Sequence, residues 1–168
     1  YTVIAPDTPG FGYSDPLSME APGIADFADA TFEFADALGL ERFALFGMHT
    51  GGLIGMHAAW TRPQRLSCLI VDGYALFNNE ERSNYTESYL PPFVPGWHGA
   101  HLRWLWSRIR DQVYFFPCCD PSAPCAIALE PYTTAQTHNA ALDILAVGDN
   151  FRAGYDAPFS YVAPHATP

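Results

Sequence analysis

The sequence predicts an α/β fold: part of a doubly wound parallel sheet, followed by a mainly helical segment. Three short apolar runs, at residues 1–6, 42–47 and 66–72, alternate with two helix-like stretches. The apolar residues of each run are nearly continuous, which is typical of parallel strands covered on both faces. With short joints and right-handed crossovers, the order strand, helix, strand, helix, strand predicts a doubly wound arrangement.

The two helix-like stretches differ in their patterns. Residues 24–38 carry apolar side chains every three or four positions, and Gly39 supplies a left-handed stop. Residues 50–60 are apolar all round, which predicts a helix buried against a sheet that ends before Pro63.

Residues 74–165 have a different character and are predicted to form a mainly helical insertion. Residues 101–112 are amphipathic, and residues 134–157 are helical with a break near Gly148. The predicted organisation is therefore a partial core at 1–73, the insertion at 74–165, and the start of a return to the core at 166–168. Because the chain opens directly at Tyr1 in a strand-like run, we expect an internal piece of a longer protein.

Composition narrows the possible partners. The net charge of −10 disfavours nucleic acids and anionic membranes, and no apolar run approaches the roughly 20 residues of a membrane helix. We therefore expect a small-molecule substrate, with no nucleic-acid or membrane partner, in a cytoplasmic protein whose oligomeric state is open. The expected location is conditional, because a signal peptide could precede Tyr1.

The four cysteines do not predict a metal site. Cys118, Cys119 and Cys125 form a C-C-x5-C pattern, and Cys68 lies alone in the third apolar run. Zinc sites usually contain C-x2-C pairs, which are missing here. Free or loop-capping thiols are the favoured interpretation, and no cofactor is expected.

The most informative motif is Gly47-Met48-His49-Thr50-Gly51, which follows a strand and begins a helix. A tight strand-to-helix turn of this kind exposes its central side chain, and its flanking glycines make room for the strained backbone. The glycine pattern alone is weak, but between a predicted strand and a predicted buried helix it is specific. His49 is therefore the first candidate for a catalytic residue.

A second motif extends the pattern. Residues 7–15 read Asp-Thr-Pro-Gly-Phe-Gly-Tyr-Ser-Asp after an apolar run. With the turn at His49, this segment resembles the α/β-hydrolase superfamily, in particular its capped epoxide hydrolases, haloalkane dehalogenases and esterases. The resemblance implies a hydrolase core with a nucleophile elbow, a helical cap at 74–165, and an oxyanion donor in the backbone N–H of Thr50. It also implies that the general base and usually the acid lie beyond Pro168.

His49 stands where most members of that superfamily carry serine. A neutral imidazole can attack an acyl group or act as a base toward water. The favoured interpretation is an active hydrolase in which His49 is nucleophile or base. Two alternatives stay open: a cofactor-free lyase or oxygenase on the same scaffold, and an inactive ligand-binding relative.

Further candidates surround the elbow. Asp72 ends the third strand, where some relatives carry the catalytic acid, although a turn residue before Gly73 is the favoured interpretation. Met48 is expected to contact substrate. His101 and Trp104 lie at a turn-to-helix start that could face the pocket, and for His101 a helix-start role is at least as well supported.

The insertion is rich in aromatic residues, which predict an apolar lid and hence a small, mostly apolar ester, epoxide or related substrate. These residues are Tyr74, Phe77, Trp97, Trp104, Trp106, Phe115 and Phe116. Elsewhere, Asp7 and Asp15 are expected to fix the Pro-Gly-Phe-Gly loop through side-chain hydrogen bonds, and His57 is expected to be structural.

Overall fold

The computed structural model describes residues 2–73, 76–89, 91–127, 130–148 and 150–162, without the side chains of residues 84, 86, 87 and 123. The chain forms two compact units. The first unit runs up to Asn78 and resumes at Arg152, and the second unit is Asn79–Phe151.

The first helix of the first unit, α1, spans Ile24–Ala37. It begins at Gly23, whose backbone N–H donates to Oδ2 of Asp26 at 2.8 Å, and a carboxylate in the first turn also suits the helix dipole. It ends at Leu38 and is followed by Gly39 with φ of 69°, as the sequence predicts. Its buried face consists of Ile24, Phe27, Ala28, Phe32 and Ala35.

The sheet has two parallel strands, β1 at Phe43–Met48 and β2 at Leu66–Asp72, in a register that ends with Met48 opposite Asp72. Helix α2, Thr50–Thr61, and a 3-10 turn at Pro63–Arg65 connect them. These elements confirm the second and third predicted strands and the buried helix. The prediction that both sheet faces are covered is wrong for the structure described, because Phe46 is 61% exposed and Ile70 is 56% exposed.

The first apolar run is not a strand. Residues 2–7 have no regular secondary structure, and Val3 is 89% exposed. A strand requires a hydrogen-bonded neighbour, and the two strands of the described sheet pair with each other. The sequence-based prediction of a strand here is therefore wrong for the structure described.

The core of the first unit lies between α1, α2 and the sheet. Its centre is Phe32, which has no exposed surface and meets the ring of Phe43 edge-on at a centroid distance of 6.2 Å. The guanidinium of Arg62 covers the Phe32 ring at 4.5 Å. Burying one such ring stabilises the fold by about 1.5–3 kcal/mol. The core cluster comprises Ile24, Phe27, Ala28, Phe32, Leu53, Ile54, Ala58, Leu66 and Ala157.

Ala157 belongs to α6, Asn150–Ser160, which contributes to the first unit from Arg152 onward. The second unit contains α3 at Asn79–Ser88, α4 at Ala100–Asp111 and α5 at Thr134–Val147. Helices α4, α5 and α6 confirm the helical stretches predicted at 101–112 and 134–157. The boundaries at 74, 165 and 166 stay predictions, and residues 163–168 lie outside the described residues.

Local signals explain the ends of α5. The hydroxyl of Thr133 accepts the Gln136 N–H at 3.3 Å, and the side-chain oxygen of Gln136 accepts the Thr133 N–H at 2.8 Å. This reciprocal pair is a capping box. The helix ends at Gly148, whose φ of 60° accounts for the predicted break.

The interior of the second unit contains a buried arginine. Arg108 of α4 is 5% exposed, and its guanidinium lies against the rings of Tyr89, at 4.9 Å, and Phe151, at 5.2 Å. Its Nη1 donates to Oε1 of Gln112 at 3.3 Å. No helix in the described part of the chain has the length and apolar character of a membrane span.

Candidate active site

The centre of the site is the turn between β1 and α2. His49 has φ of 51° and ψ of −116°, and it is the one non-glycine residue with positive φ in the described chain. Such a conformation costs on the order of 1–3 kcal/mol and persists only where the surroundings enforce it. Here the His49 N–H donates to the carbonyl of Asp72 at 3.1 Å, and the His49 carbonyl accepts from Gly52 at 2.9 Å.

The two glycines of the motif have different roles. A Cβ on Gly47 would lie 2.1 Å from the carbonyl oxygen of Gly51, so no side chain fits there. A Cβ on Gly51 would have nothing within 4 Å. The prediction that flanking glycines make room for the turn is therefore correct for Gly47, whereas Gly51 has space for a side chain.

The elbow opens into a cavity of about 480 Å³ within the first unit. Most of its lining is apolar, with a small number of polar groups, as in small-molecule sites. The lining residues are Pro6, Asp7, Thr8, Phe11, Phe27, Met48, His49, Thr50, Gly51, Ile54, Gly154 and Tyr155.

The loop at residues 7–15 forms one wall of this cavity and is fixed by Asp7. Oδ2 of Asp7 accepts the Tyr13 N–H at 3.0 Å, and the Asp7 carbonyl accepts the Ser14 hydroxyl at 2.8 Å. Gly12 has φ of 55°, and a Cβ there would lie 2.2 Å from Oδ2 of Asp7. The predicted role of Asp7 is confirmed, whereas Asp15 contributes through its backbone carbonyl, which accepts the Gly10 N–H at 3.1 Å.

The structure brings three of the predicted site residues together, since Met48, His49 and Thr50 all line the cavity. Asp72 lies beside them through its backbone, but its side chain is exposed and is not part of the lining. The imidazole also approaches the end of β2, because a Cβ on Gly73 would lie 3.7 Å from Cε1 of His49. The catalytic roles of these residues stay predictions.

His101 and Trp104 belong to the second unit. Nδ1 of His101 accepts the Gly96 N–H at 3.1 Å, which fixes the turn before α4. The ring of Phe93 packs against the rings of His101 and Trp104, with centroid distances of 5.4 Å and 6.0 Å. These contacts give His101 the helix-start role considered from the sequence, and a contact of either residue with substrate stays a prediction.

The other aromatic residues of the predicted lid have varied surroundings. Phe77 packs on Phe159 at 5.3 Å, Phe116 lies 6.2 Å from Tyr85, and Trp97 is 97% exposed. Tyr74 lies outside the described residues. The aromatic residues that do line the cavity, Phe11, Phe27 and Tyr155, were not proposed as site residues from the sequence. Phe11 could have been inferred from its motif, whereas no sequence signal singles out Tyr155.

His57, Arg110 and Asp111 are not among the residues that line the cavity. His57 of α2 lies 3.3 Å, through Nδ1, from the Tyr161 hydroxyl. Arg110 and Asp111 form an ion pair at 2.7 Å. Burial raises the pKa of the Tyr161 hydroxyl in the contact with His57.

The cysteines are all free thiols. Burial raises the pKa of both Cys118 and Cys119, which makes them poor nucleophiles at neutral pH. Hydrogen bonds from Ser122, first of all from its backbone N–H at 2.9 Å, lower the pKa of Asp120, and the Cys125 thiol, which donates to Oδ2 at 3.2 Å, lowers it further. Within the described residues, no group of three His, Cys, Asp or Glu side chains is arranged to hold a metal ion.

The first unit thus contains a parallel βαβ unit whose strained turn opens into a cavity. The chain belongs to the alpha/beta hydrolase fold family, which it matches over residues 1–102. The family and the α/β fold class predicted from the sequence are confirmed.

The chain is similar to parts of two relatives with described activities. The chain is similar to the 2-hydroxy-6-oxo-6-phenylhexa-2,4-dienoate hydrolase of Comamonas testosteroni, with 40% identity over 74 residues, or 44% of this chain and 26% of the relative. It is also similar to the dihydrolipoyllysine-residue acetyltransferase component of the acetoin cleaving system of Cupriavidus necator, with 31% identity over 90 residues, or 54% of this chain and 24% of the relative. The match spans about a quarter of the length of each relative.

Proposed function

We propose that the protein is a hydrolase of small, mostly apolar substrates, with His49 in the position of the nucleophile. The observation that carries this proposal is the strained backbone at His49, which stands at a cavity of about 480 Å³. Strained residues cluster at sites where the strain has a function. Membership of the alpha/beta hydrolase fold family supports the same assignment.

The favoured chemistry uses the neutral imidazole of His49. A ring nitrogen attacks the carbonyl carbon of an ester, and the carbonyl electron pair moves to oxygen. The Thr50 N–H, at the first position of α2 where the helix supplies no acceptor, donates to this oxyanion. Collapse breaks the C–O bond, and the leaving alkoxide takes the proton from the other ring nitrogen to depart as the alcohol. Water then hydrolyses the acyl-imidazole to release the acid and regenerate His49. In the alternative form, His49 takes a proton from water, which attacks the carbonyl directly.

The cavity supports an apolar or aryl-bearing substrate. Phe11, Phe27 and Ile54 are among its apolar lining residues, and Asp7 adds a negative charge that disfavours an anionic group nearby. The name of the Comamonas relative specifies a substrate with a phenyl ketone, so a bond next to an aryl ketone is a second candidate beside esters and epoxides.

The test uses the full-length protein with a panel of p-nitrophenyl esters, an aryl epoxide and an aryl ketone. We expect turnover of at least one compound and its loss in His49→Ala. Thr61→Val, at the far end of α2, is the control and should keep wild-type activity. Activity retained in His49→Ala would refute the assignment of His49. A gain of esterase activity in His49→Ser would show that the partners of a serine nucleophile are present.

A second candidate function is ligand binding without turnover. The observation that favours it is the histidine at position 49, because most members of the superfamily that the sequence resembles carry serine at this position. A protein that binds aryl ligands but hydrolyses none of the panel would support this alternative. Conversion without net hydrolysis, such as proton abstraction or reaction with oxygen, would support a cofactor-free lyase or oxygenase.

A further inference from the structure

Helix α6 contains a proline within its last turn, at position 158. A proline in a helix has no N–H for the carbonyl four residues earlier, and its ring pushes that carbonyl outward. The carbonyl affected here is that of Gly154. It lacks the hydrogen bond that an N–H at residue 158 would otherwise donate.

The Gly154 carbonyl accepts a hydrogen bond at the turn that contains His49. The hydroxyl of Thr50, the residue after His49, donates to the Gly154 carbonyl at 3.4 Å. Gly154 also leaves room for the ring of Phe11, because a Cβ there would lie 2.5 Å from Cζ of Phe11. Thr50, Gly154 and Phe11 all line the cavity, so this contact is part of the site wall.

A second contact joins α2 to the residue that follows α6. The Tyr161 hydroxyl and Nδ1 of His57 lie 3.3 Å apart, and both contacts join residues 104 positions apart in the sequence. Tyr161 is the first residue after α6, so the segment from Gly154 to Tyr161 contacts α2 at two points. Ala157 of α6 joins the buried core that contains Ile54 and Ala58 of α2.

We propose that Pro158, Gly154 and Thr50 form a lock that positions the first turn of α2, and with it the Thr50 N–H, at the cavity. The proline leaves the Gly154 carbonyl without its helical hydrogen bond, the glycine leaves room for the Phe11 ring, and the threonine hydroxyl donates to the carbonyl. Thr50 then has two functions. Its hydroxyl is a positioning group, and its N–H is the oxyanion donor of the proposed hydrolase, on which the catalytic part of this proposal rests.

The lock itself is tested without any substrate, by a double-mutant cycle in the full-length protein. Thr50→Val keeps the side-chain shape and removes the hydroxyl. Loss of one hydrogen bond should lower the Tm by about 2–4 °C. In Pro158→Ala the restored N–H recaptures the Gly154 carbonyl, so Thr50→Val should then lower the Tm by less than half as much. Thr61→Val, whose hydroxyl bonds to its own helix, should have the same effect in both backgrounds. An equal effect of Thr50→Val in both backgrounds would overturn the lock.

The positioning role is tested by kinetics on whichever substrate is turned over. Thr50→Val and Pro158→Ala should each lower kcat about 10-fold with little change in KM, because a misplaced donor weakens the transition state more than substrate binding. Thr50→Ser keeps the hydroxyl and should recover most of the kcat lost in Thr50→Val. If the Tm cycle shows coupling between Thr50 and Pro158 but kcat is unchanged in both variants, the positioning role is overturned. If the Tm cycle shows coupling but the wild type turns over no substrate, the proposed hydrolase is refuted and the lock is still supported.

Discussion

The backbone of His49 gives the sharpest prediction, which separates its strain from its chemistry. At φ of 51° an L-residue is strained, whereas glycine adopts positive φ freely. His49→Gly should relieve that strain and remove the imidazole at once. His49→Ala should remove the imidazole and keep the strain. The difference in stability between these two variants therefore isolates the backbone term.

The magnitude follows from two opposing contributions. Relief of the strain at His49 should stabilise the glycine variant by about 1–3 kcal/mol. The greater freedom of glycine in the unfolded chain offsets about 0.4–1 kcal/mol of this. We therefore expect the free energy of unfolding of His49→Gly to be about 1 kcal/mol higher than that of His49→Ala. The corresponding difference in Tm is about 2–4 °C for a domain of this size.

The assay is thermal unfolding of both variants in the full-length protein, together with the substrate panel. Both variants should lose hydrolytic activity. His49→Gly should have a higher Tm than His49→Ala. If His49→Gly were equal to or less stable than His49→Ala, the turn would not be strained, and the main support for a functional elbow would fail.

Three further predictions concern the turn and the loop at residues 117–125. Gly47→Ala should lower the free energy of unfolding by about 3 kcal/mol, because its Cβ meets the Gly51 carbonyl, whereas Gly51→Ala should change it by less than about 1 kcal/mol; thermal unfolding compares the pair. Because hydrogen bonds lower the pKa of Asp120 in the folded state, its stabilising contribution is present above its ordinary pKa and is lost as the pH falls through the folded-state value. The stability difference between wild type and Asp120→Asn in urea unfolding should therefore shrink below pH 3.8. Because burial raises the pKa of Cys118, iodoacetamide at pH 8 should alkylate it more slowly than the exposed Cys68, as mass spectrometry of the labelled peptides would show.

The parts of the fold that the sequence predicted are those in which the local pattern carries the signal. Helix α2 is apolar all round and β2 is a continuous apolar run, so both were located within a residue or two. Helix α3 was missed because it is polar on every side and shows no period. The strand expected at residues 2–6 failed for a different reason, since a strand depends on a neighbour that its own residues do not specify.

The site shows the same division. The elbow was predicted because its glycines and neighbouring elements lie together in the sequence. The opposite wall, with Gly154 and Tyr155, comes from more than 100 residues away and has no motif. The sequence-based prediction ended the last helical stretch at about residue 157. The structure continues α6 to Ser160 through Pro158, since Ala157 and Phe159 are buried and tertiary packing outweighs the cost of the proline.

Thr50 lies between two unusual backbone features. On one side, His49 has a positive φ without being glycine, and on the other, Pro158 lies within a helix and frees the Gly154 carbonyl. Each departure costs stability on its own, and proteins usually retain such costs at functional sites. The turn at His49 is held at β2 by the Asp72 carbonyl and, one residue later, at α6 by the Thr50 hydroxyl. Because α6 helps to fix the geometry of the elbow, a substitution at Pro158 should act on the site as directly as one beside His49.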